Sequence, residues 1–159
     1  GVIEARGDNL VDARHPLRIR HSLTSQIRTL VLQRAMGWID LSDTDMLRRD
    51  PLWQLACSDA RGVTPLAQER PSQATLSRLL TCLGRNDNID VVHEGLLRLV
   101  LWRLTSLKNG ERPKQLTLDI DGLPIEVHGH QGGSAFHGLY GARIYSPLVA
   151  SLAETGDMV

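Results

Sequence analysis

Two aspartates separated by one residue, Asp119 and Asp121, are the side chains with the clearest capacity for chemistry. They lie in residues 115–122, QLTLDIDG, where a basic helical sequence gives way to a strand. Side chains alternate along a strand, so both carboxylates share one face while Leu118 and Ile120 share the other. Mg²⁺ prefers oxygen ligands and is often held by one or two carboxylates with substrate phosphate and water. The pattern predicts a divalent-cation site, although acidic residues that merely cap a solvent-facing strand end would look the same.

The composition is that of an ordinary globular chain. Its 159 residues are 42% hydrophobic and 23% charged, values that argue against disorder. The length fits one domain, or one small domain with part of another. An aromatic content of 4% gives little support to a surface that stacks single-stranded bases.

The net charge is zero but unevenly distributed along the chain. Residues 1–115 contain seventeen Lys and Arg against thirteen Asp and Glu, whereas residues 116–159 contain one Arg against five acids. A basic part beside an acidic part is typical of a phosphate-binding protein with a cation-dependent site. A modest excess of charge on a solvated surface would give the same figures. Sixteen of the eighteen basic residues are arginines, which suit bidentate phosphate contacts, although a GC-rich coding sequence would also favour arginine.

The cysteines and the absence of targeting patterns bear on the compartment. Cys57 and Cys82 are too few for a disulfide framework or a cysteine zinc site, and we expect both to be small buried side chains. The sequence shows neither a signal-peptide pattern nor an apolar run of about 18 residues. A reducing cytoplasm is the simplest compartment. Because the chain begins with Gly1 and stops at Val159 soon after an apolar segment, we also expect a fragment.

Helical periodicity dominates as far as residue 114. Residues 1–21 are expected to be an extended lead-in. A helix is predicted from the N-cap Ser22 to Met36, with Gly37 as its stop. The apolar residues expected to face the core from this helix are Leu23, Ile27, Leu30 and Val31. Further helices are predicted over residues 42–49, 52–58, 73–83 and 89–107, and the apolar stripe of the last one is expected to anchor a bundle.

From residue 115 onward the pattern is typical of strands. Residues 116–121 and 124–128 are predicted as the first two strands. Residues 142–153 are predicted as a third strand interrupted near Pro147, after a glycine-rich connection over residues 129–141. A helical bundle followed by antiparallel strands is the order of an α+β fold, with an all-α domain joined to the start of an α/β domain as the alternative.

The helix beginning after Ser72 has polar residues suited to DNA. The segment SQATLSRLL is similar to the second helix of a helix-turn-helix. Its side chains that would then contact phosphates or base edges are Gln73, Thr75, Ser77 and Arg78. An ordinary amphipathic helix with a polar outer face explains the same pattern equally well.

Three histidines raise a weaker zinc hypothesis. His128 and His130 would share one face of a strand, and His137 follows in the glycine-rich segment. Contacts with nearby backbone or with a phosphate are the preferred interpretation.

Several motifs, in matching order and spacing, resemble bacterial insertion-sequence DDE transposases. Residues 37–51, GWIDLSDTDMLRRDP, are similar to the signature G-[YW]-x-D-x-x-D-x-x-x-L-R-x-D-P. Residues 71–78, PSQATLSR, are similar to the QPTLSR segment that follows it in those proteins. The residues LDID at 118–121 and the later pieces HGHQ, FHG, YG and YSPL resemble the start of their catalytic domain. The resemblance covers roughly residues 20–157.

The resemblance implies an α+β chain in which a helical bundle precedes the first strands of a truncated ribonuclease H-like domain. A lead-in over residues 1–21 would be followed by a helical DNA-binding region at 22–114. The start of an incomplete DDE catalytic domain would then occupy residues 115–159. The implied activity is Mg²⁺-dependent cutting and joining of transposon-end DNA by an Asp-Asp-Glu triad. Double-stranded DNA at transposon ends is the implied partner; a homo-oligomer is left open, and no membrane is involved.

In that family the first triad carboxylate lies on the first strand. It maps to Asp121, which Gly122 follows directly, with Asp119 as the reserve choice for catalysis and metal binding. The second Asp and the Glu are expected beyond Val159, so the chain alone is expected neither to cleave nor to join DNA, while its helical part binds DNA in a salt-dependent way. Two other hypotheses remain: a non-catalytic DNA-binding module that competes for transposon ends, and a small helical interaction domain without a nucleic-acid role.

Overall fold

A computed structural model describes residues 9–59, 64–107, 114–129 and 131–159. Within them lie five α-helices and five short strands, so the α+β class is confirmed. The helices are α1 Leu23–Ala35, α2 Asp43–Leu47, α3 Pro51–Cys57, α4 Gln73–Leu83 and α5 Asn86–Leu107. The strands are β1 Leu118–Gly122, β2 Ile125–Glu126, β3 Ala135–His137, β4 Ala142–Tyr145 and β5 Leu148–Leu152. The chain divides into two compact units, Gly1–Gly95 and Leu96–Val159, with the division inside α5.

Helix α1 begins and ends where its local sequence predicts. Ser22 is extended, and its hydroxyl accepts a 3.0 Å hydrogen bond from the backbone N–H three residues on. At the other end, Gly37 has a φ of +85° and donates its N–H to the carbonyl of Arg34. The N–H of Trp38 donates to the carbonyl of Gln33, which completes a Schellman motif. The left-handed backbone at this position explains why the helix stops at a glycine.

The buried face of α1 is largely polar, which corrects the expectation that Val31 faces the core. Val31 is 46% exposed, whereas Thr29 and Gln33 are fully buried. The Thr29 hydroxyl donates to the carbonyl of Ser25, and the Gln33 amide donates to the carbonyl of Asp40. Buried polar groups are tolerated when they have such partners. Hydrogen bonding therefore replaces apolar packing along part of this helix.

The core of the first unit includes the lead-in as well as the helices. Its buried residues are Leu10, Leu23, Leu76 and Leu79, packed against partly buried Ile27, Leu30, Leu41, Leu83 and Val91. Next to Leu10, both backbone groups of Val11 hydrogen-bond to the side chain of Asn88, which is fully buried. The described part of the lead-in is thus fixed to the helices rather than loosely extended.

The apolar stripe of α5 is mostly exposed, so the expectation that it anchors a bundle is wrong for most of its length. Its exposed residues, 37% to 48% accessible, are Ile89, Val92, Leu96 and Leu99. Among the stripe residues whose side chains the structure describes, Val100 and Leu104 are buried and pack with Leu152. Amphipathic spacing predicted the helix correctly but did not predict which of its apolar side chains are buried.

The strands form two separate antiparallel sheets. In the first, β1 pairs with β5 so that Asp119 lies opposite Ser151 and Asp121 opposite Val149. In the second, β4 lies between β2 and β3. The five-residue pairing with β5 holds the backbone of the two candidate aspartates extended.

The strand predicted over residues 142–153 is in fact two strands in different sheets. Ser146 and Pro147 separate β4 from β5, because a proline has no N–H to donate to a sheet ladder. The carbonyl of Pro147 accepts a 2.9 Å hydrogen bond from the N–H of Leu123 at the junction. The glycine-rich segment predicted as a connection also contains a strand, β3.

Candidate functional site

Asp119 and Asp121 lie on the same face of β1, as their spacing predicts. All five residues of β1 are exposed, and same-face neighbours on a strand are about 6.6 Å apart along its axis. The Oδ1 of Asp121 accepts a 2.7 Å hydrogen bond from the backbone N–H of Gly122. A hydrogen bond to an ionised carboxylate is comparatively strong and restrains its orientation. The two carboxylates are therefore adjacent and open to solvent.

Neither carboxylate is neutralised by a basic side chain within the described residues. Among the acids of the second unit, Asp157 pairs with Arg103 at 2.6 Å. A donor set of two exposed carboxylates fits Mg²⁺, which commonly takes one or two of them and completes its octahedron with water and phosphate. Over the described parts of the chain, no three His, Cys, Asp or Glu side chains are grouped closely enough to hold a metal ion by themselves.

The histidines have no comparable arrangement where the structure describes them. His130 lies outside the described residues, so the pair it would form with His128 cannot be placed. His137 packs its ring against Tyr140, with ring centroids 4.9 Å apart. The zinc hypothesis therefore has no three-ligand group to support it in the described ranges.

The four candidate DNA-contacting residues lie on two different faces of α4. Gln73 and Ser77 are four residues apart and exposed on one face. Thr75 and Arg78 are three residues apart and line a cavity in the first unit. The structure brings Thr75 and Arg78 together but separates them from Gln73 and Ser77. A single interface would therefore engage one pair or the other.

Helix α4 lacks the short turn that precedes a recognition helix in a helix-turn-helix. Residues 58–72 intervene between α3 and α4, and their described part contains a 3-10 turn, Thr64–Ala67. A helix-turn-helix joins its two helices by three or four residues. The similarity of α4 to such a recognition helix thus extends to its polar sequence and not to its surroundings.

The acidic residues of the segment 37–51 have structural roles. Asp50 caps α3 by accepting a 2.9 Å hydrogen bond from the N–H of Trp53. Asp40 accepts a 2.7 Å bond from the N–H of Ser42, and this bond lowers the pKa of the Asp40 carboxyl. Arg48 pairs with Glu69 at 2.7 Å. The segment therefore builds the turns between α1 and α3.

A comparison with protein-family models matches residues 2–159 to the family described as Transposase DDE domain group 1. The chain belongs to this transposase family. No curated protein and no solved structure gave a significant match. The resemblance read from the motifs is thereby confirmed at the level of the family. DDE transposases act on DNA and generally use a divalent metal, a requirement that the exposed carboxylates of β1 suit.

In the part of the transposase that the structure describes, no helix is both long and apolar enough to cross a membrane.

Sequence reasoning missed that Arg14, Arg18 and Arg20 line the same cavity as Arg78. The clustering of arginine over residues 14–20 was the signal available for it.

Proposed function

We propose that this transposase cuts and joins transposon-end DNA by Mg²⁺-dependent phosphoryl transfer, with β1 as the first strand of a ribonuclease H-like catalytic domain. Membership of the DDE family supports transposition. The observation that carries the chemistry is the pair of exposed carboxylates on β1, which form no ion pair with a basic side chain of the described residues. A bound divalent ion would polarise a phosphate oxygen and stabilise the charge that develops there.

Asp121 is the proposed first carboxylate of the triad. Its Oδ1 is restrained by the N–H of Gly122, which leaves Oδ2 as the oxygen for a metal ion. Asp119, on the same face, is the reserve ligand and would hold a second position near the same ion. A strand paired along its whole length restrains the backbone of both residues, and a metal site needs such fixed ligands.

We also propose that the helical region at residues 22–114 binds DNA and that residues 115–159 belong to the catalytic domain. The exposed pair Gln73 and Ser77 can reach a duplex from the outer face of α4, whereas Arg78 can reach a phosphate from the other face. The excess of basic residues before residue 116 supports this division.

Transposition frequency from the gene that encodes this chain tests the proposal. We expect Asp121→Asn to reduce the frequency by at least about 100-fold, because the amide keeps the shape of the carboxylate but removes the charge that binds metal. Glu126→Gln is the matched control, since Glu126 is an exposed acid on β2, which belongs to the other sheet. Undiminished transposition by both Asp121→Asn and Asp119→Asn would exclude the catalytic role and favour a non-catalytic DNA-binding module.

A further inference from the structure

Six arginines from three segments converge on one cavity in the first unit. The cavity has a volume of about 530 Å³, which is within the range of ligand-binding sites. Its arginines are Arg14, Arg18, Arg20, Arg48, Arg78 and Arg85. We call this cavity the arginine groove. Among its described lining residues the only acid is Asp12, and none has a phenyl, phenol or indole ring.

Four of these arginines have no neutralising partner in the described chain. Asp12 pairs with Arg14 at 2.6 Å, and Glu69 pairs with Arg48 at 2.7 Å. The remaining four are exposed and form no ion pair with described residues: Arg18, Arg20, Arg78 and Arg85. Guanidinium groups stay charged at all ordinary pH values. Like charges gathered in one concavity repel each other, and a bound anion would reduce this repulsion. The groove therefore favours an anionic ligand.

A histidine in the groove responds to the same positive field. Burial lowers the pKa of His21, and nearby guanidinium groups lower it further. The charged groups responsible, in order of effect, are those of Arg70, Arg48, Arg20 and Arg14. Burial is the largest cause of this shift, and of the four arginines Arg48, Arg20 and Arg14 line the groove whereas Arg70 does not.

The groove follows the length of α4. Ser72, Thr75, Arg78 and Cys82 line it at spacings of three and four residues, which places them on one helical face. Ten residues of helix span about 15 Å. Lead-in residues, Arg18 and Arg20 among them, line the same cavity. The groove thus takes its cations from the lead-in as well as from α4.

This shape favours one strand over a duplex. A helix that reads duplex DNA projects into the major groove, whereas the Arg78 face of α4 lines a concavity that a ligand must enter. The described lining offers no Phe, Tyr or Trp on which bases could stack. Recognition would then rest on phosphates and be independent of base sequence.

We infer that the arginine groove binds the sugar-phosphate backbone of a single DNA strand. This inference rests on the proposed function, which supplies DNA as the substrate. It assigns the groove face of α4, with Thr75 and Arg78, to the strand, and leaves the outer face with Gln73 and Ser77 free for a duplex.

Fluorescence anisotropy with the full 159-residue chain tests the inference. The probe is a labelled oligothymidine of about 12 nucleotides, with EDTA present so that metal chemistry plays no part. We expect the double variant Arg78→Gln/Arg85→Gln to bind it about 10-fold more weakly, and the slope of log affinity against log salt to become shallower by about 1.4. A duplex of the same length should bind more weakly than the strand and lose less affinity in the variant.

The matched control is Arg34→Gln, since Arg34 is an exposed arginine of the same unit that does not line the groove. Its affinity for the strand should stay within about twofold of the unchanged chain. An equal loss in Arg34→Gln and in the groove variant, or a duplex that binds more tightly than the strand, would overturn the inference. If the groove variant unfolds by circular dichroism, Arg18→Gln/Arg20→Gln in the lead-in part of the groove lining replaces it and should show the same loss.

The outcome is separable from that of the proposed function. If the groove variant binds the strand as tightly as the unchanged chain while Asp121→Asn abolishes transposition, the transposase mechanism stands and the groove inference is rejected. If the groove binds the strand while transposition survives both aspartate substitutions, the catalytic proposal is rejected and the groove remains a nucleic-acid site.

Discussion

The side chain of Asn88 binds both backbone groups of Val11, accepting from its N–H at 2.7 Å and donating to its carbonyl at 3.1 Å. The same amide nitrogen donates to the carbonyl of Cys82 near the end of α4 at 2.9 Å. Residues of the lead-in and of α4 both line the arginine groove. One fully buried side chain therefore ties the lead-in to α4, linking Val11 to Cys82 across 71 residues of sequence.

Replacement of Asn88 by alanine should lower the free energy of unfolding by about 3 kcal/mol, because several hydrogen bonds are lost and the backbone groups of Val11 lose their partner. Urea denaturation measures this loss. Asn86→Ala, at the exposed first residue of α5, is the control and should cost less than about 0.5 kcal/mol. Equal losses in the two variants would contradict the structural role of Asn88.

The Schellman motif at the end of α1 predicts a cost for a side chain at Gly37. Gly37→Ala should destabilise the chain by about 1–2 kcal/mol, because alanine is strained at a φ of +85° although no atom crowds the position. Gly84→Ala is the control in the same unit. Gly84 has a φ of −75° and room for a Cβ, so its replacement should be neutral or slightly stabilising. The urea concentration at the midpoint of unfolding, measured for both variants, tests this prediction. An unchanged midpoint in Gly37→Ala would contradict the proposed strain.

The stability of the first unit should decrease in mild acid because of His21. Burial first, and neighbouring arginines second, lower the pKa of His21 from its ordinary value of 6.5. The unfolded chain then binds more protons than the folded chain just below that pH, so the free energy of unfolding falls as the pH drops through 6.5 and is fully retained above it. Thermal melts between about pH 5.5 and 7.5 measure the effect. His21→Gln should flatten the profile, and a profile that keeps its slope in this variant would contradict the role of His21.

Metal binding at β1 can be measured on the chain itself. Asp121→Asn should weaken the binding of Mn²⁺, used as a spectroscopic substitute for Mg²⁺, by about 10-fold or more. The melting temperature should not change, because Asp121 is exposed and its described hydrogen bond is to Gly122 alone. Glu126→Gln should bind Mn²⁺ as the unchanged chain does. Equal Mn²⁺ affinity in all three proteins would show that β1 holds no metal.

Local signals in the sequence were sufficient to predict some elements. Ser22 and Gly37 define α1 because caps depend on neighbouring residues. The helical spacing of Leu76 and Leu79 predicts α4, in which Ser72 makes no side-chain cap hydrogen bond. The shared face of Asp119 and Asp121 follows from the period of a strand alone.

Long-range contacts account for what the sequence did not reveal. Asn88 has its partner 77 residues away, so nothing local identifies it as the residue that fixes the lead-in. The amide of Gln33 donates to the carbonyl of Asp40, seven residues further along the chain, and a hydrophobic pattern does not predict such a buried polar side chain. The sequence predicts that Pro147 interrupts a strand. That β4 and β5 belong to different sheets, however, depends on the strands with which each of them pairs.

Among the described residues that line the arginine groove, none is a lysine. Acetylation, which removes the charge of lysine, therefore has no target among them, and methylation of arginine leaves its charge in place. Apart from His21, the groove carries a charge that is permanent under cellular conditions. Release of a bound strand would therefore depend on competing anions and not on chemical neutralisation of the protein.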